Sequence, residues 1–184
     1  MSNPAGEPSS RVEADPESVA RTICLRLLTA TPRTRAQLAA ALRRRNVPDG
    51  AAEVVLDRLT EVGLVDDGAF AAAWVQSRHR GRGLARRALA AELRARGVAA
   101  EAVTGAVEAL GAEEEVQTAR ALVDRRLPAT VGLPGVVRAR RLAGLLARKG
   151  YPAGMASRVI REALAEDATG RGAPPDAMSA YSDD

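Results

Sequence analysis

One segment of ten residues occurs three times along this chain of 184 residues. The three copies are LAAALRRRNV (38–47), LAAELRARGV (89–98) and LAGLLARKGY (142–151), whose starts lie 51 and 53 residues apart. In each copy the first and fifth positions are Leu, the eighth is basic, the ninth is Asn or Gly, and the tenth is apolar. Self-similarity at a period of this length is typical of repeat proteins. The chain is therefore expected to contain three copies of one supersecondary unit.

Each copy lies between two further segments with helical apolar spacing, so the repeat is predicted to contain three helices. Before the second copy lies AFAAAWVQSRHR, and after it lies AAEAVTGAVEALG. The four-residue spacing of Leu38 and Leu42, found again in the second copy, gives one apolar stripe with arginines on the other faces. The residues that end the middle helices tolerate positive φ, as a helix terminus requires; they are Asn46, Gly97 and Gly150.

The composition favours helices over strands. Hydrophobic residues make up 46% of the chain and aromatic residues only 2%, so the core must consist of Ala, Leu and Val. A three-helix repeat of about fifty residues buries little apolar surface by itself, so neighbouring repeats must share interfaces. The expected fold class is all-α, with three tandem three-helix repeats that form an elongated, curved array.

The composition also suggests where the repeats begin and end. Residues 1–16 are polar and rich in Pro, Ser and Glu, and we expect them to form a disordered N-terminal arm. Residues 168–184 have a similar composition and are expected to form a disordered C-terminal tail. The three repeats are then assigned to residues 17–65, 66–111 and 112–167.

Positive charge is unevenly distributed along the chain, whose net charge is +4. Seven arginines and a single acid, Glu92, occupy residues 78–96, and seven basic residues and no acid occupy residues 138–161. Such clusters attract nucleic acid or an acidic protein surface. A charge run is also common on a solvated helix face, but here corresponding positions are basic in all three repeats. We therefore predict a functional basic surface, made of Arg43, Arg44, Arg45, Arg78, Arg80, Arg82, Arg86, Arg87, Arg94, Arg96, Arg138, Arg140, Arg141, Arg148 and Lys149.

The only Phe and the only Trp, Phe70 and Trp74, lie four residues apart and so share a helix face. They are predicted to pack the core of repeat 2, between repeats 1 and 2; the alternative is an exposed aromatic that stacks on a base or fills a partner's groove. Asp66 and Asp67 are expected to cap the start of this helix rather than to form a catalytic pair. His79, between two arginines, has no partner for general-base catalysis and is not expected to be catalytic.

Several kinds of site are not supported by the sequence. The single cysteine, Cys24, lies in an apolar stripe and is predicted to be a core residue. With no Cys/His cluster, neither a metal site nor a cofactor site is expected. RGRGLARR (80–87) lacks the GK[ST] of a phosphate loop and is predicted to be the turn between the first two helices of repeat 2. No membrane-length apolar run or signal-peptide core is present, so the expected location is the reducing cytoplasm.

Two adjoining segments of repeat 2 resemble the signature of a known family. In GLVDDGAFAAAWVQSR (63–78), Gly-Leu and an acidic pair precede Phe-Ala, an aromatic residue and a basic residue that closes the helix. In RGRGLARRALAAELRARGV (80–98), Arg-Gly precedes a Leu-rich helix that ends in Gly and an aliphatic residue. This pattern resembles the RecX regulatory proteins, which modulate the RecA recombinase, and the resemblance extends over residues 17–166.

The resemblance implies a regulator of tandem three-helix repeats with no enzymatic activity of its own. We also expect a monomer that needs no cofactor. By this resemblance the chain is expected to lie in the helical groove of the RecA–DNA filament and to limit filament growth, which would lower RecA's ATPase, strand-exchange and coprotease activities in recombination and the SOS response. Its partners would be the RecA filament and single- and double-stranded DNA, bound without sequence preference. The residues alone leave one alternative, a helical DNA-binding protein or repressor that acts without RecA.

Overall fold

The structure, a computed structural model, describes residues 15–172, with side chains as far as residue 170. The predicted arm before residue 15 and the predicted tail after Gly172 lie outside the described residues. Every regular element within residues 15–172 is a helix. The α-helices are α1 (Pro16–Ala30), α2 (Arg35–Arg43), α3 (Asp49–Glu61), α4 (Asp67–Arg82), α5 (Arg86–Arg94), α6 (Ala100–Glu108), α7 (Ala112–Arg126), α8 (Gly135–Arg148) and α9 (Ala153–Gly172), with a 3-10 helix (Leu127–Thr130) after α7.

These helices confirm the predicted all-α class with three helices in each repeat. Repeat 1 contains α1–α3, repeat 2 contains α4–α6 and repeat 3 contains α7–α9. The last helix includes residues 168–172, which the sequence had assigned to the tail. The repeat boundaries drawn from the sequence stay predictions.

The middle helices place their leucines inward, as the four-residue spacing predicts. All six of these leucines are 0% exposed: Leu38, Leu42, Leu89, Leu93, Leu142 and Leu146. Each buried leucine stabilises the fold by about 1.5–3 kcal/mol relative to an exposed one. The repeat is therefore defined physically by a short helix that buries one apolar edge and leaves its arginines on the other faces.

By its internal contacts the described chain divides into two compact units. Unit 1 comprises residues 15–70 and 96–98, and its core joins Cys24 of α1 to the leucines of α2 and to Leu56 of α3. Cys24 is completely buried, as predicted, and burial raises the pKa of its thiol. Thr34 caps α2 in a capping box, in which its hydroxyl accepts from the Gln37 N–H at 3.1 Å.

Unit 2 comprises residues 71–95 and 99–172. Its largest apolar cluster is formed by α7, α8 and α9, through Val123, the leucines of α8, and Val159 and Ile160. Ala85, which immediately precedes α5, is also part of this cluster. The N–H group of Ala85 donates to the Lys149 carbonyl at 2.9 Å, which attaches the start of α5 to the end of α8.

Positive φ angles occur where the sequence placed the ends of the middle helices. Asn46, Gly97 and Gly150 have φ of 57°, 76° and 86°. A Cβ on Gly97 would lie 2.3 Å from the Ala36 Cβ, and one on Gly150 would lie 2.7 Å from both the Cβ and the backbone N of Ala88. Glycine is thus required at these two positions by close packing as well as by backbone conformation.

The acid pair at the start of α4 performs two different capping roles. Asp66 Oδ1 accepts from the Ala69 N–H at 2.8 Å, which confirms the predicted cap of α4. Asp67 Oδ1 instead accepts from the Arg35 N–H at 2.8 Å, and Arg35 is the first residue of α2. Asp67, at the start of α4, therefore accepts from the first N–H group of α2, which has no acceptor within its own helix.

The turn predicted over residues 80–87 is shorter than expected. Helix α4 continues to Arg82, and only Gly83–Ala85 separates it from α5. Gly83 adopts φ 61°, and its N–H donates to the His79 carbonyl at 2.8 Å, which closes the last turn of α4. Arg80 and Arg82 are consequently helical residues.

Candidate basic interaction surface

Most of the predicted basic residues are on the surface, and they divide into two groups by exposure. The half-buried ones are Arg78, Arg86, Arg96, Arg138 and Lys149. The exposed ones are Arg43, Arg44, Arg45, Arg80, Arg82, Arg87, Arg94, Arg140, Arg141 and Arg148. Two of the exposed arginines have intramolecular partners: Arg45 donates to the Ala41 carbonyl at 3.0 Å, and Arg82 donates to Glu92 Oε1 at 3.2 Å. The other eight exposed arginines have no ion pair or side-chain hydrogen bond with any residue in the described range, so their charge is available to a partner.

A groove of about 500 Å³ in unit 2, named here the α5–α8 groove, brings two of these arginines together. Arg87 comes from the first turn of α5 and Arg148 from the last residue of α8. Much of the remaining lining is alanine, with Tyr151 and Ser157, and no acidic residue lines the groove. Because small side chains form its walls, an extended polyanion or a carboxylate could approach both guanidinium groups closely.

A second groove of unit 2, named here the α4–α7 groove, brings together four cations. Arg80 and Arg82 from the end of α4 line it with Arg125 of α7 and Lys149. Lys149 also donates to the Arg82 carbonyl at 2.5 Å, so its ammonium is fixed beside the end of α4. Glu114 is the one acidic residue in the lining. Arg82 is paired with Glu92 outside the lining, so three other cations face one carboxylate and give the groove an excess of positive charge.

Arg125 was not among the residues predicted for the surface. It belongs to the Arg125–Arg126 pair in the last turn of α7, where basic residues complement the helix dipole. Arg125 lies on the first helix of repeat 3, outside the basic stretches 43–45, 78–96 and 138–149 from which the surface was predicted. The adjacent pair of arginines is the signal that could have identified it.

The half-buried arginine next to Trp74 belongs to a cluster on α4 and α5. The Arg78 guanidinium lies 4.2 Å from the centre of the indole ring, and the indole N–H donates to Glu92 Oε2 at 2.9 Å. Arg82 Nη1 lies 3.2 Å from Glu92 Oε1. Glu92, the one acid within residues 78–96, therefore holds an aromatic ring and a cation at the surface of repeat 2.

This cluster modifies the packing predicted for the two aromatic residues. Trp74 and Phe70 are both half-buried, and neither is enclosed in the core. Trp74 stays near the surface because its N–H reaches the carboxylate of Glu92 and its ring face is covered by Arg78. Amphipathic rings commonly occupy such positions, with the ring packed and the polar edge paired.

Two predicted surface arginines have structural partners within unit 2. Arg86, the first residue of α5, donates its backbone N–H to Glu115 Oε1 at 2.9 Å, and its Nε lies 3.5 Å from Glu115 Oε2. Arg138 of α8 pairs with Asp167 of α9 at 2.6 Å, and their side chains are 12% and 18% exposed. Removing one partner of a sheltered ion pair leaves an uncompensated charge behind, so we assign both arginines to the fold.

His79 is buried in α4, and both of its ring nitrogens have partners. Nδ1 lies 2.8 Å from the Leu84 carbonyl, so it must carry a proton and donate. Nε2 lies 2.8 Å from the hydroxyl of Thr118 on α7. The imidazole thus connects the end of α4 to α7. The sequence, which shows only that His79 lies between two arginines, gave no sign of this structural role.

Within the described residues, no three His, Cys, Asp or Glu side chains are grouped so that they could hold a metal ion. Among residues 15–172 there is also no helix whose length and apolar content would allow it to span a bilayer.

Three models of one protein family match this chain. They describe the first three-helix domain of RecX at residues 20–59, the second at 66–107 and the third at 113–160. Together they match well over half of the chain.

Curated relatives agree with this family. The chain is 62% identical over 164 residues to the regulatory protein RecX of Streptomyces coelicolor, which covers 86% of this chain and 87% of that protein. It is 63% identical over 145 residues to the regulatory protein RecX of Thermobifida fusca, which covers 79% of this chain and 78% of that protein.

Solved structures show the same fold. The crystal structure of RecX from Lactobacillus salivarius matches with a TM-score of 0.76 and 17% identity, over 81% of this chain and 97% of that one. A crystal structure of a regulatory protein RecX matches with a TM-score of 0.71 and 21% identity, over 79% of this chain and 72% of that one. The family consists of regulatory proteins rather than enzymes. With its three matched domains and its close relatives, this chain belongs to the RecX family.

Proposed function

We propose that this chain binds the RecA–DNA filament in the cytoplasm as a monomer and inhibits it. The observation that carries the proposal is the α5–α8 groove, where Arg87 and Arg148 face the same space with no acidic residue beside them. Unpaired guanidinium groups in such a groove suit DNA phosphates and the carboxylates of a protein surface. The α4–α7 groove and the exposed arginines of α5 and α8 extend the basic surface.

In this mechanism, basic residues attach the chain to the DNA and to filament subunits, and the bound chain blocks subunit addition or conformational change. Inhibition of ATP hydrolysis, strand exchange and coprotease activity in recombination and the SOS response would follow from that blockage. Binding to DNA is proposed to be independent of base sequence, because guanidinium contacts to phosphate carry no sequence information. Arg86 and Arg138 stabilise the fold and are left out of the docking set.

The test is ATP hydrolysis by RecA on single-stranded DNA, measured with substoichiometric amounts of this chain. The variant R80E/R87E/R148E reverses three exposed arginines without intramolecular ion pairs, and we expect it to lose at least about tenfold in inhibitory potency. The control R26E/R126E/R161E makes the same change in net charge at exposed arginines that line neither groove. It should inhibit as the unmodified chain does.

Two results would contradict the proposal. Full inhibition by R80E/R87E/R148E, with an unchanged far-UV circular dichroism spectrum, would exclude this surface. Binding of the unmodified chain to DNA with no effect on ATP hydrolysis at any ratio to RecA would favour the alternative, a DNA-binding protein that acts without RecA.

A further inference from the structure

Unit 1 has an exposed apolar groove that is separate from the basic surface. It lies between α1 and the end of α3 and has a volume of about 220 Å³. Among the residues with described side chains, six large hydrophobic ones are exposed, and four of the six line this groove. Those four are between 42% and 62% exposed: Leu25, Val54, Val62 and Leu64. Single exposed hydrophobic residues are ordinary on protein surfaces, but a cluster around one concavity marks an interaction site.

The repeats themselves show that the fold does not require apolar residues there. In the first helices of repeats 1 and 2, the buried pair Ala20 and Cys24 of α1 corresponds to the buried pair Ala71 and Val75 of α4. By this correspondence Leu25 occupies the position of Gln76 in repeat 2.

The third helices correspond in the same way. Val55 and Leu59 of α3 are buried like Ala106 of α6 and Leu110 just after α6, so Val54 occupies the position of Gly105. The groove between α4 and α6 in repeat 2 has four alanines and Gln76 in its lining, and its two larger apolar residues, Val75 and Leu110, are both buried. At the positions of Leu25 and Val54 the same helical arrangement thus exists without a large apolar side chain, which favours recognition over folding as the reason for these two residues in repeat 1.

Charge at the rim of the groove indicates the chemistry of its occupant. Arg21 of α1 and Arg58 of α3 both line it, and both are exposed. Neither forms an ion pair or a side-chain hydrogen bond within the described part of the chain. Glu17, the one acid of the lining, lies in the first turn of α1, where the helix dipole favours a carboxylate. The occupant should therefore place carboxylates opposite the two arginines and apolar side chains between them.

We propose that, for the filament regulator described above, this groove is the protein-recognition site and binds an apolar segment of a RecA subunit that carries neighbouring carboxylates. Affinity for the recombinase then has two separable parts. The basic surface of unit 2 contributes a salt-sensitive part that includes DNA. The groove contributes a part that depends on apolar contact, persists at higher salt and does not need DNA.

The test compares L25Q/V54Q with the unmodified full-length chain in binding to purified RecA without DNA. Leu25→Gln installs the residue that the chain itself uses in repeat 2, and glutamine is a good helix former at both positions. We expect binding to RecA to weaken at least about tenfold, or about 1.4 kcal/mol, at low and at high salt. Binding to a fluorescent single-stranded oligonucleotide should be unchanged. The control V131Q/V136Q alters two exposed valines outside the groove and should leave both affinities unchanged.

A charge reversal tests the acidic character of the occupant. R21E/R58E should weaken RecA binding more at low salt than at high salt, since ion pairs at a groove rim are screened by salt. Unchanged binding by R21E/R58E would overturn the assignment of carboxylates to the occupant. Circular dichroism and thermal unfolding of each variant check that its fold is intact.

The results separate this proposal from the function on which it rests. If the unmodified chain fails to bind RecA with or without DNA, the filament proposal itself fails. If the unmodified chain binds and L25Q/V54Q binds equally well, only the groove assignment fails. If L25Q/V54Q abolishes self-association in sedimentation experiments while RecA binding persists, a second copy of the chain occupies the groove, and the proposal is overturned.

Discussion

Gly97 and Gly150 have equivalent positions in two repeats but differ in what surrounds them. Both have positive φ, and both lie where a Cβ would collide with a residue of a middle helix. At Gly97 the collision is with the Cβ of Ala36, a side-chain atom, whereas at Gly150 it includes the backbone N of Ala88. A side-chain collision can be removed by a second substitution, but a collision with backbone cannot.

Gly97→Ala is expected to destabilise unit 1 by more than Gly63→Ala does. Gly63 has a similar φ of 72° and nothing within 4 Å of a Cβ, so its substitution measures the conformational penalty alone, about 1–2 kcal/mol. In Gly97→Ala the collision adds to that penalty. Ala36→Gly in the same chain should recover the added part, measured as the coupling energy of a double-mutant cycle in urea unfolding. A coupling energy of zero would show that the packing of Gly97 on Ala36 is not a constraint on this turn.

At the scale of helices, carboxylates from one helix satisfy the first N–H group of another. Asp67 does so for α2 within unit 1, and Glu115 does so for α5 within unit 2. The first residue of both recipient helices is an arginine, which opposes the helix dipole. The carboxylate therefore offsets an unfavourable charge as well as an unpaired N–H group.

Glu115→Ala is expected to destabilise the chain by about 2 kcal/mol, because the N–H of Arg86 loses its acceptor and its guanidinium loses its carboxylate. Glu115 is 4% exposed, so water replaces it poorly. The control is Glu114→Ala, which removes an exposed carboxylate from the same turn of α7 and should change stability by less than about 0.5 kcal/mol. Equal midpoints for the two variants in chemical unfolding would contradict the capping role of Glu115.

The helices themselves could be predicted because each depends on local spacing. The leucines four residues apart, the positive-φ residues at the ends of the middle helices, and Asp66 as a cap are all visible in short windows of sequence. The partners of Trp74 and Arg86 could not be predicted in this way. Their partners, Glu92 and Glu115, lie 18 and 29 residues away on other helices. Which carboxylate comes within hydrogen-bond distance depends on how the helices pack.

The same distinction explains what the sequence showed of the basic surface. A run of arginines identifies a charged region, but the run does not reveal which members are used internally. Arg86 and Arg138 are paired within unit 2, whereas Arg87 lines a groove without an acidic residue. Neighbouring arginines therefore have different roles. What distinguishes them is whether another helix supplies a carboxylate to pair with the guanidinium group. Arg125 was not predicted because it lies on α7 of repeat 3, and only the packing of α7 beside α4 brings it into the α4–α7 groove with Arg80 and Arg82.

For the whole molecule, the number of arginines that contact DNA can be counted from the salt dependence of binding. Each phosphate contact contributes about 0.7 to the slope of log affinity against log salt for single strands. R80A/R87A/R148A should therefore lower the slope by about 2, measured by anisotropy with a labelled oligonucleotide. R26A/R126A/R161A loses the same three charges and should retain the slope of the unmodified chain if contact, rather than net charge, determines binding. Equal reductions in both variants would show that the chain binds DNA through its general charge, and that the grooves of unit 2 do not position the phosphates.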